Sequence, residues 1–136
     1  MDYKARIGET SASFQESITP DLVAQFRRSI PGAARAEGTP AAILASFRKG
    51  EKELTERLGF ELPRMLHAEQ DYEFFSELPV EQEIQYQSRL LSVLEKRARD
   101  ARGGMLIFSI GTDYRVGGRV FASAKSTVIY RTGVFV

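Results

Sequence analysis

Apolar residues recur along this chain with two periods, three to four residues in the first half and two in the second. Residues 19–30 read TPDLVAQFRRSI, with Leu22, Val23, Phe26 and Ile30 at helical spacing. Thr19 is placed to cap that helix, Pro20 fits its first turn where a missing N–H costs nothing, and Pro31-Gly32 closes it. The pattern returns at Thr39-Pro40, where Ile43, Leu44, Phe47, Leu54 and Leu58 mark one stripe and Gly59 stands where a C-terminal cap belongs. This predicts one long helix to Leu58, with Gly50 as its weak point. A glycine costs about 1 kcal/mol against alanine in a helix interior, so a kink or a close packing contact is expected there.

After Pro63 the period becomes that of a strand. Gln70, Tyr72 and Phe74 alternate with Asp71, Glu73 and Phe75, and Leu78-Pro79 ends the run. From Glu83 to Glu95 the even positions Ile84, Tyr86, Leu90 and Leu94 would share one strand face. Leu90, Leu91, Leu94 and residues Lys96 to Arg99 also suit a helix by propensity, and the strand assignment rests on context. Gly103-Gly104 breaks the chain, MLIFSIGTDYRV reads as a buried strand, and Gly117-Gly118 makes a tight hairpin. In GRVFASAKSTVIYR, Val120, Ala122, Ala124, Ser126, Val128 and Tyr130 oppose Phe121, Ser123, Lys125, Thr127 and Ile129. The small residues on the first face suggest a helix packed closely against it. Two helices followed by an antiparallel meander of three or four long strands predict an α+β fold with the longer helix on one sheet face.

At 136 residues, one domain spanning 1–136 is expected. Nineteen basic residues against eighteen acidic ones leave a formal charge of +1, which supplies no field for nucleic acid. There is no cysteine, hence no disulfide framework, thiolate metal site or thiol nucleophile. The N-terminus lacks the apolar stretch of a signal peptide and no run is long enough to span a membrane, so a cytoplasmic protein with no membrane partner is expected.

The run Leu66-His67-Ala68-Glu69-Gln70, continuing DYEFFSELPVEQEI, resembles a motif of the MaoC-type dehydratase and hydratase superfamily, as do the two closing strands from Gly103-Gly104 through Gly117-Gly118 to Ser126-Thr127. Helix 19–30 is similar to that family's first helix, and together these segments cover most of residues 15–131. The resemblance implies a hot-dog fold, in which a long central helix packs on an antiparallel sheet. It also implies a thioester of coenzyme A or acyl carrier protein as ligand, water addition or removal as the chemistry, and no cofactor. Catalytic halves of the family carry an aspartate and a histidine between the first and central helices. Here that segment reads SIPGAARAEGTPAA, with Glu37 its only acidic residue and no aspartate, asparagine or histidine from Ser29 to Ala42. The chain therefore resembles the non-catalytic half-domains, which pair with a catalytic hot-dog subunit. A homodimer or such a heterodimer is expected.

His67 is the only histidine, which rules out a histidine-based metal cluster. It reads first as a hydrogen-bonding group at the strand entry. The rival reading is a self-sufficient hydratase, dehydratase or thioesterase that uses His67 with Glu69, or Glu37, as an acid–base pair, because His67, Glu69 and Asp71 share strand parity. A pure interaction domain is the third reading. Thr39, Ala41 and Ala42 form a helix N-terminus whose N–H groups are placed to receive a thioester oxygen. Lys96 and Arg97, with Arg99 and Arg102, are either a solvated hairpin tip or a contact for the phosphates of coenzyme A or an acidic carrier protein. The paired glycines are turn chemistry and do not form a phosphate loop.

Overall fold

The computed structural model describes residues 2–29, 40–97 and 104–132. After a single 3-10 turn at Lys4–Arg6 come strand β1 (Phe14–Ser17) and helix α1 (Pro20–Ser29). A helical turn at 40–44 and helix α2 (Lys49–Arg57) follow. The remaining strands are β2 (Met65–Phe74), β3 (Glu83–Arg97), β4 (Gly104–Val116) and β5 (Arg119–Arg131). They form one five-stranded antiparallel sheet of order β1-β3-β4-β5-β2. Only β3, β4 and β5 make a meander. The expected fourth strand, β2, crosses to the far side and pairs with β5, which leaves its other edge open. The β1 strand, FQES, has no apolar alternation to announce it and is held by pairing with 83–86 of β3 and by Phe14 stacked on Tyr86 at 5.9 Å.

α1 starts as expected, with Leu22 N–H donating to Thr19 Oγ1 at 3.1 Å. Val23 is buried and Leu22 and Phe26 pack beside it. The single long helix expected from 40 to 58 is instead two pieces, separated at 45–48. The interruption has a cause on the sheet. The Tyr114 hydroxyl lies 3.4 Å from the Leu44 carbonyl and 3.3 Å from that of Phe47, and Ser46 Oγ donates to the Ile43 carbonyl at 2.6 Å. Side chains thus take up carbonyls that would otherwise serve the next helical turn. Gly50 is not the kink. It is a close contact, because a Cβ there would meet Ser88 Oγ at 2.8 Å and Ser11 Oγ at 3.0 Å. Gly59 ends α2 with φ +75°, and Phe60 N–H returns to the Thr55 carbonyl at 3.1 Å, as the expected cap requires.

β3 is a strand along its length, and Gly117 and Gly118, at φ +56° and +79°, make the hairpin between β4 and β5. Ile84, Tyr86, Ser88 and Leu90 of β3 face the helices with Leu106, Phe108, Ile110, Thr112 and Tyr114 of β4 and Ala122, Ala124, Ser126, Val128 and Tyr130 of β5. Two of the predicted faces change partway along. The pairing of β3 with β4 slips between Leu90 and Ser92, so Leu94 joins the opposite face and is 55% exposed instead of sharing the face of Leu90. A slip between Tyr114 and Arg115 leaves Phe121 as an extra residue of β5 and buries it beside Ala122, away from the face of Ser123 and Lys125.

The helix-facing side is layered. One apolar cluster gathers Ile18, Val23, Ile43, Leu44 and Phe47 with Tyr86, Tyr114 and Phe121. A second gathers Leu54, Leu58, Leu90, Phe108, Ile110 and Val128. Between them runs a buried polar belt of Glu51, Ser88, Thr112 and Ser126. Ser88 Oγ and Thr112 Oγ1 are 2.7 Å apart, and Ser126 Oγ donates to Glu51 Oε2 at 3.0 Å. Among the described residues no buried side-chain N or O lacks a hydrogen-bond partner.

Candidate site between the second helix and the open edge strand

The polar belt reaches the surface where α2 meets β2. Glu51 lies on the buried stripe of α2 with Leu54 and Leu58, and its carboxylate would carry a large desolvation cost there if unpaired. Two groups hold it. Ser126 is one, and Arg48 is the other, one helical turn earlier, with Nη2 at 3.0 Å from Glu51 Oε1. The same Arg48 Nη2 lies 3.5 Å from His67 Nε2 on β2. A guanidinium has only donors, so in a hydrogen bond between the two the imidazole nitrogen is the acceptor. Arg48 therefore bridges the buried carboxylate and the chain's one imidazole.

Phenols surround this bridge. Burial raises the Tyr72 hydroxyl above the usual tyrosine range, opposed by the nearby Arg48 charge, while Gln70 Nε2 donates to Tyr72 at 2.6 Å. Burial pushes Tyr114 well above that range, helped by Tyr72 and Glu51. Both phenols stay protonated in ordinary buffers, Tyr114 donating to the Leu44 and Phe47 carbonyls and Tyr72 accepting from Gln70. Beside the bridge a groove of about 560 Å³ opens between α2 and the start of β2. Phe60, Leu62 and Met65 give it an apolar wall, and Arg48, Lys49 and Lys52 outnumber Glu51 and Glu56 along its polar rim. Lys49 is also paired with Glu16 at 3.3 Å. Such a groove suits an elongated ligand with an apolar part and an anionic part. Among the described residues no group of three His, Cys, Asp or Glu is arranged to hold a metal ion.

The residues singled out in the sequence are dispersed. His67 pairs with Val128 and Glu69 with Thr127, because Ala68 is a bulge residue. That one surplus residue breaks the shared parity: His67 lies on the helix side near Arg48, while Glu69, Asp71 and Glu73 line the solvent face. The structure thus separates His67 from Glu69. Ala41 and Ala42 sit half-buried in the turn at 40–44, whereas Thr39 and Glu37 lie outside the described residues. Lys96 is exposed near the end of β3, and Arg97 is the last residue of that strand. Arg99 and Arg102 lie outside the described residues. Arg48 and Glu51 were missed. Their signal was a carboxylate on an apolar helical stripe, four residues after Phe47 and three before Leu54.

No protein-family model matches this chain, and no curated protein matches it. Solved structures do. The HadBC (3R)-hydroxyacyl-ACP dehydratase complex of Mycobacterium tuberculosis superimposes with a TM-score of 0.66 at 13% identity, over 91% of this chain and 96% of that one. The fold is a hot-dog fold. The ChsH1-ChsH2 complex of the same organism gives 0.64 at 12% identity over 98% and 89% of the two chains. A MaoC-like dehydratase of Rhodospirillum rubrum gives 0.63 at 12% over 94% of each. The chain is therefore similar in fold to MaoC-like dehydratases, as its motifs suggested. No helix among the described residues is long and apolar enough to cross a membrane.

Proposed function

We propose that this hot-dog chain binds an acyl thioester of coenzyme A or acyl carrier protein, as the non-catalytic half of a hydratase or dehydratase that works with a catalytic hot-dog partner. The observation that carries this reading is the Arg48 bridge. The imidazole of His67 and the carboxylate of Glu51 are both turned onto one guanidinium. A histidine–carboxylate pair for proton transfer needs direct contact or a shared water, and here a permanent cation stands between the two. The segment from Ser29 to Ala42 supplies no aspartate, asparagine or histidine in their place. What remains suits binding: a basic rim for phosphates, an apolar wall for an acyl chain, and a guanidinium donor from Arg48 for a carbonyl oxygen. The open edge of β2 offers a hot-dog partner a strand to pair with.

Calorimetric titration with a short and a long enoyl-coenzyme A, beside a hydration assay, tests this. Saturable binding without turnover is expected. Arg48→Ala should weaken that binding about tenfold, the size of one lost charge-assisted hydrogen bond. Hydration by the chain alone, or failure to bind either ligand, overturns the proposal.

A further inference from the structure

The solvent face of the sheet carries an ordered pattern that thioester binding does not use. The β3 bulge at Leu91 and the β2 bulge at Ala68 place Leu66, Ile129, Ile107 and Leu94 in register on four neighbouring strands, as one apolar row across the outer face. Leu66 and Leu94, at its two ends, are 57% and 55% exposed. The next row is Glu69, Thr127, Ser109 and Ser92, and beyond it comes Asp71, Lys125, Gly111 and Arg89. The acidic groups Glu69, Asp71 and Glu73 thus lie along the β2 margin, while Arg89 and Lys96 lie along the β3 margin. A shallow trough of about 790 Å³ on this face is lined by Asp71, Arg89, Leu91 and Lys125, and Leu91 lies so close on Gly111 that it leaves no room for a Cβ there.

A half-turn about an axis parallel to the strands, midway between β4 and β5, exchanges β2 with β3 and β4 with β5 and keeps each row at its own level. Applied to a second copy laid face to face, it sets Leu66 over the second copy's Leu94 and Ile129 over its Ile107. It also sets Asp71 over the second copy's Arg89, and Lys125 over the Leu91 side chain that covers its Gly111. Aliphatic groups meet aliphatic groups and Asp71 meets a base, twice over, while Glu69 and Glu73 fall over the second copy's neutral Ser92 and Gln87. A two-fold interface requires this self-complementarity, and aligned stacking is one of the two standard ways for sheets to pack. We infer that the outer sheet face is an isologous interface at which two copies of this chain stack sheet on sheet. Four aliphatic side chains in one row, exposed at its ends and half-buried at its middle, are the apolar centre of such a contact, and the Asp71 and Arg89 margins fix its register. The arrangement leaves the backbone edge of β2 free, so it is independent of any edge-to-edge pairing with a hot-dog partner.

Sedimentation velocity on the full chain, with charge-swapped variants, tests this. The chain is expected to form a reversible dimer. Asp71→Arg and Arg89→Asp should each weaken that dimer at least about tenfold, because each places like charges opposite one another twice. An equimolar mixture of the two variants should recover a heterodimer, since every swapped charge then faces its opposite. The sequence has no cysteine, so Leu66→Cys and Leu94→Cys introduce the only thiols. A short bismaleimide should join a mixture of these two variants and neither alone. A chain that stays monomeric, a dimer indifferent to Asp71→Arg, charge-swapped variants that do not recover on mixing, or a dimer that resists this cross-link would each overturn the inference. Circular dichroism of every variant separates loss of the interface from loss of the fold.

Discussion

The two faces of the sheet are organised inversely. On the helix side a buried polar belt lies between two apolar clusters. On the solvent side a partly exposed apolar row lies among polar and charged rows. The same strands supply both, so the difference comes from which side chain each backbone position presents. The inner belt is secured by hydrogen bonds within the chain, whereas the outer row has only the weak constraints of a surface. Substitutions on the inner face should therefore be felt in stability, and those on the outer face mainly in association.

The largest effect expected is at Leu54, fully buried where α2 meets the sheet. Leu54→Ala should lower unfolding free energy by about 2–5 kcal/mol in chemical denaturation, while Glu73→Ala on the outer face should change it by less than about 0.5 kcal/mol. Next is Gly50→Ala, which gains helix propensity and yet should destabilise by about 1–3 kcal/mol, because the new methyl enters the Ser88 and Ser11 hydroxyls. Combining it with Ser88→Gly should recover part of the loss. A net gain from Gly50→Ala alone would show that the belt is looser than these distances imply. Arg48→Ala should cost about 1–3 kcal/mol by leaving the Glu51 carboxylate with Ser126 alone, and Glu51→Gln should cost less.

The smallest effect is alkaline. Tyr86 is pushed well above the usual tyrosine range by burial and by its hydrogen bond to Glu16, and Tyr114 by burial. The unfolded chain releases its phenolic protons near pH 10, while these two groups retain theirs in the folded protein. Stability from this source is therefore complete below pH 10 and lost as pH rises above it. Spectrophotometric titration should show Tyr86 and Tyr114 ionising together with unfolding; smooth ionisation of both near pH 10 in the folded protein would show the inner face to be wet.

Much of the fold was legible wherever a local rule acts alone. Thr19-Pro20 opens α1, Gly59 closes α2, Gly117-Gly118 turns the hairpin, and the even positions of β5 from Ala122 to Tyr130 face the helices, each for a reason contained within a few residues. The rest depends on distant partners. The break at 45–48 needs the Tyr114 hydroxyl from β4, and β1 needs its partner on β3. The candidate site was legible only in part. His67 attracted attention as a lone histidine, but its neighbour is Arg48 rather than Glu69, because the surplus residue at Ala68 leaves no mark in the alternation of apolar and polar positions.

The bulges at Leu91 and Ala68 act on side-chain direction as single-base insertions act on a reading frame. Every position downstream keeps its identity and changes its meaning, with Leu94 turned from core to surface and Glu69 parted from His67. Between them β4 and β5 stay in phase from Met105 to Thr112, so the two shifts, at opposite margins of the four long strands, bracket one level of the sheet. Removing either residue alone would put one end of that level out of frame with the other. A related chain that lacks one bulge should therefore also differ in polarity along the following half-strand, a signature readable without any structure.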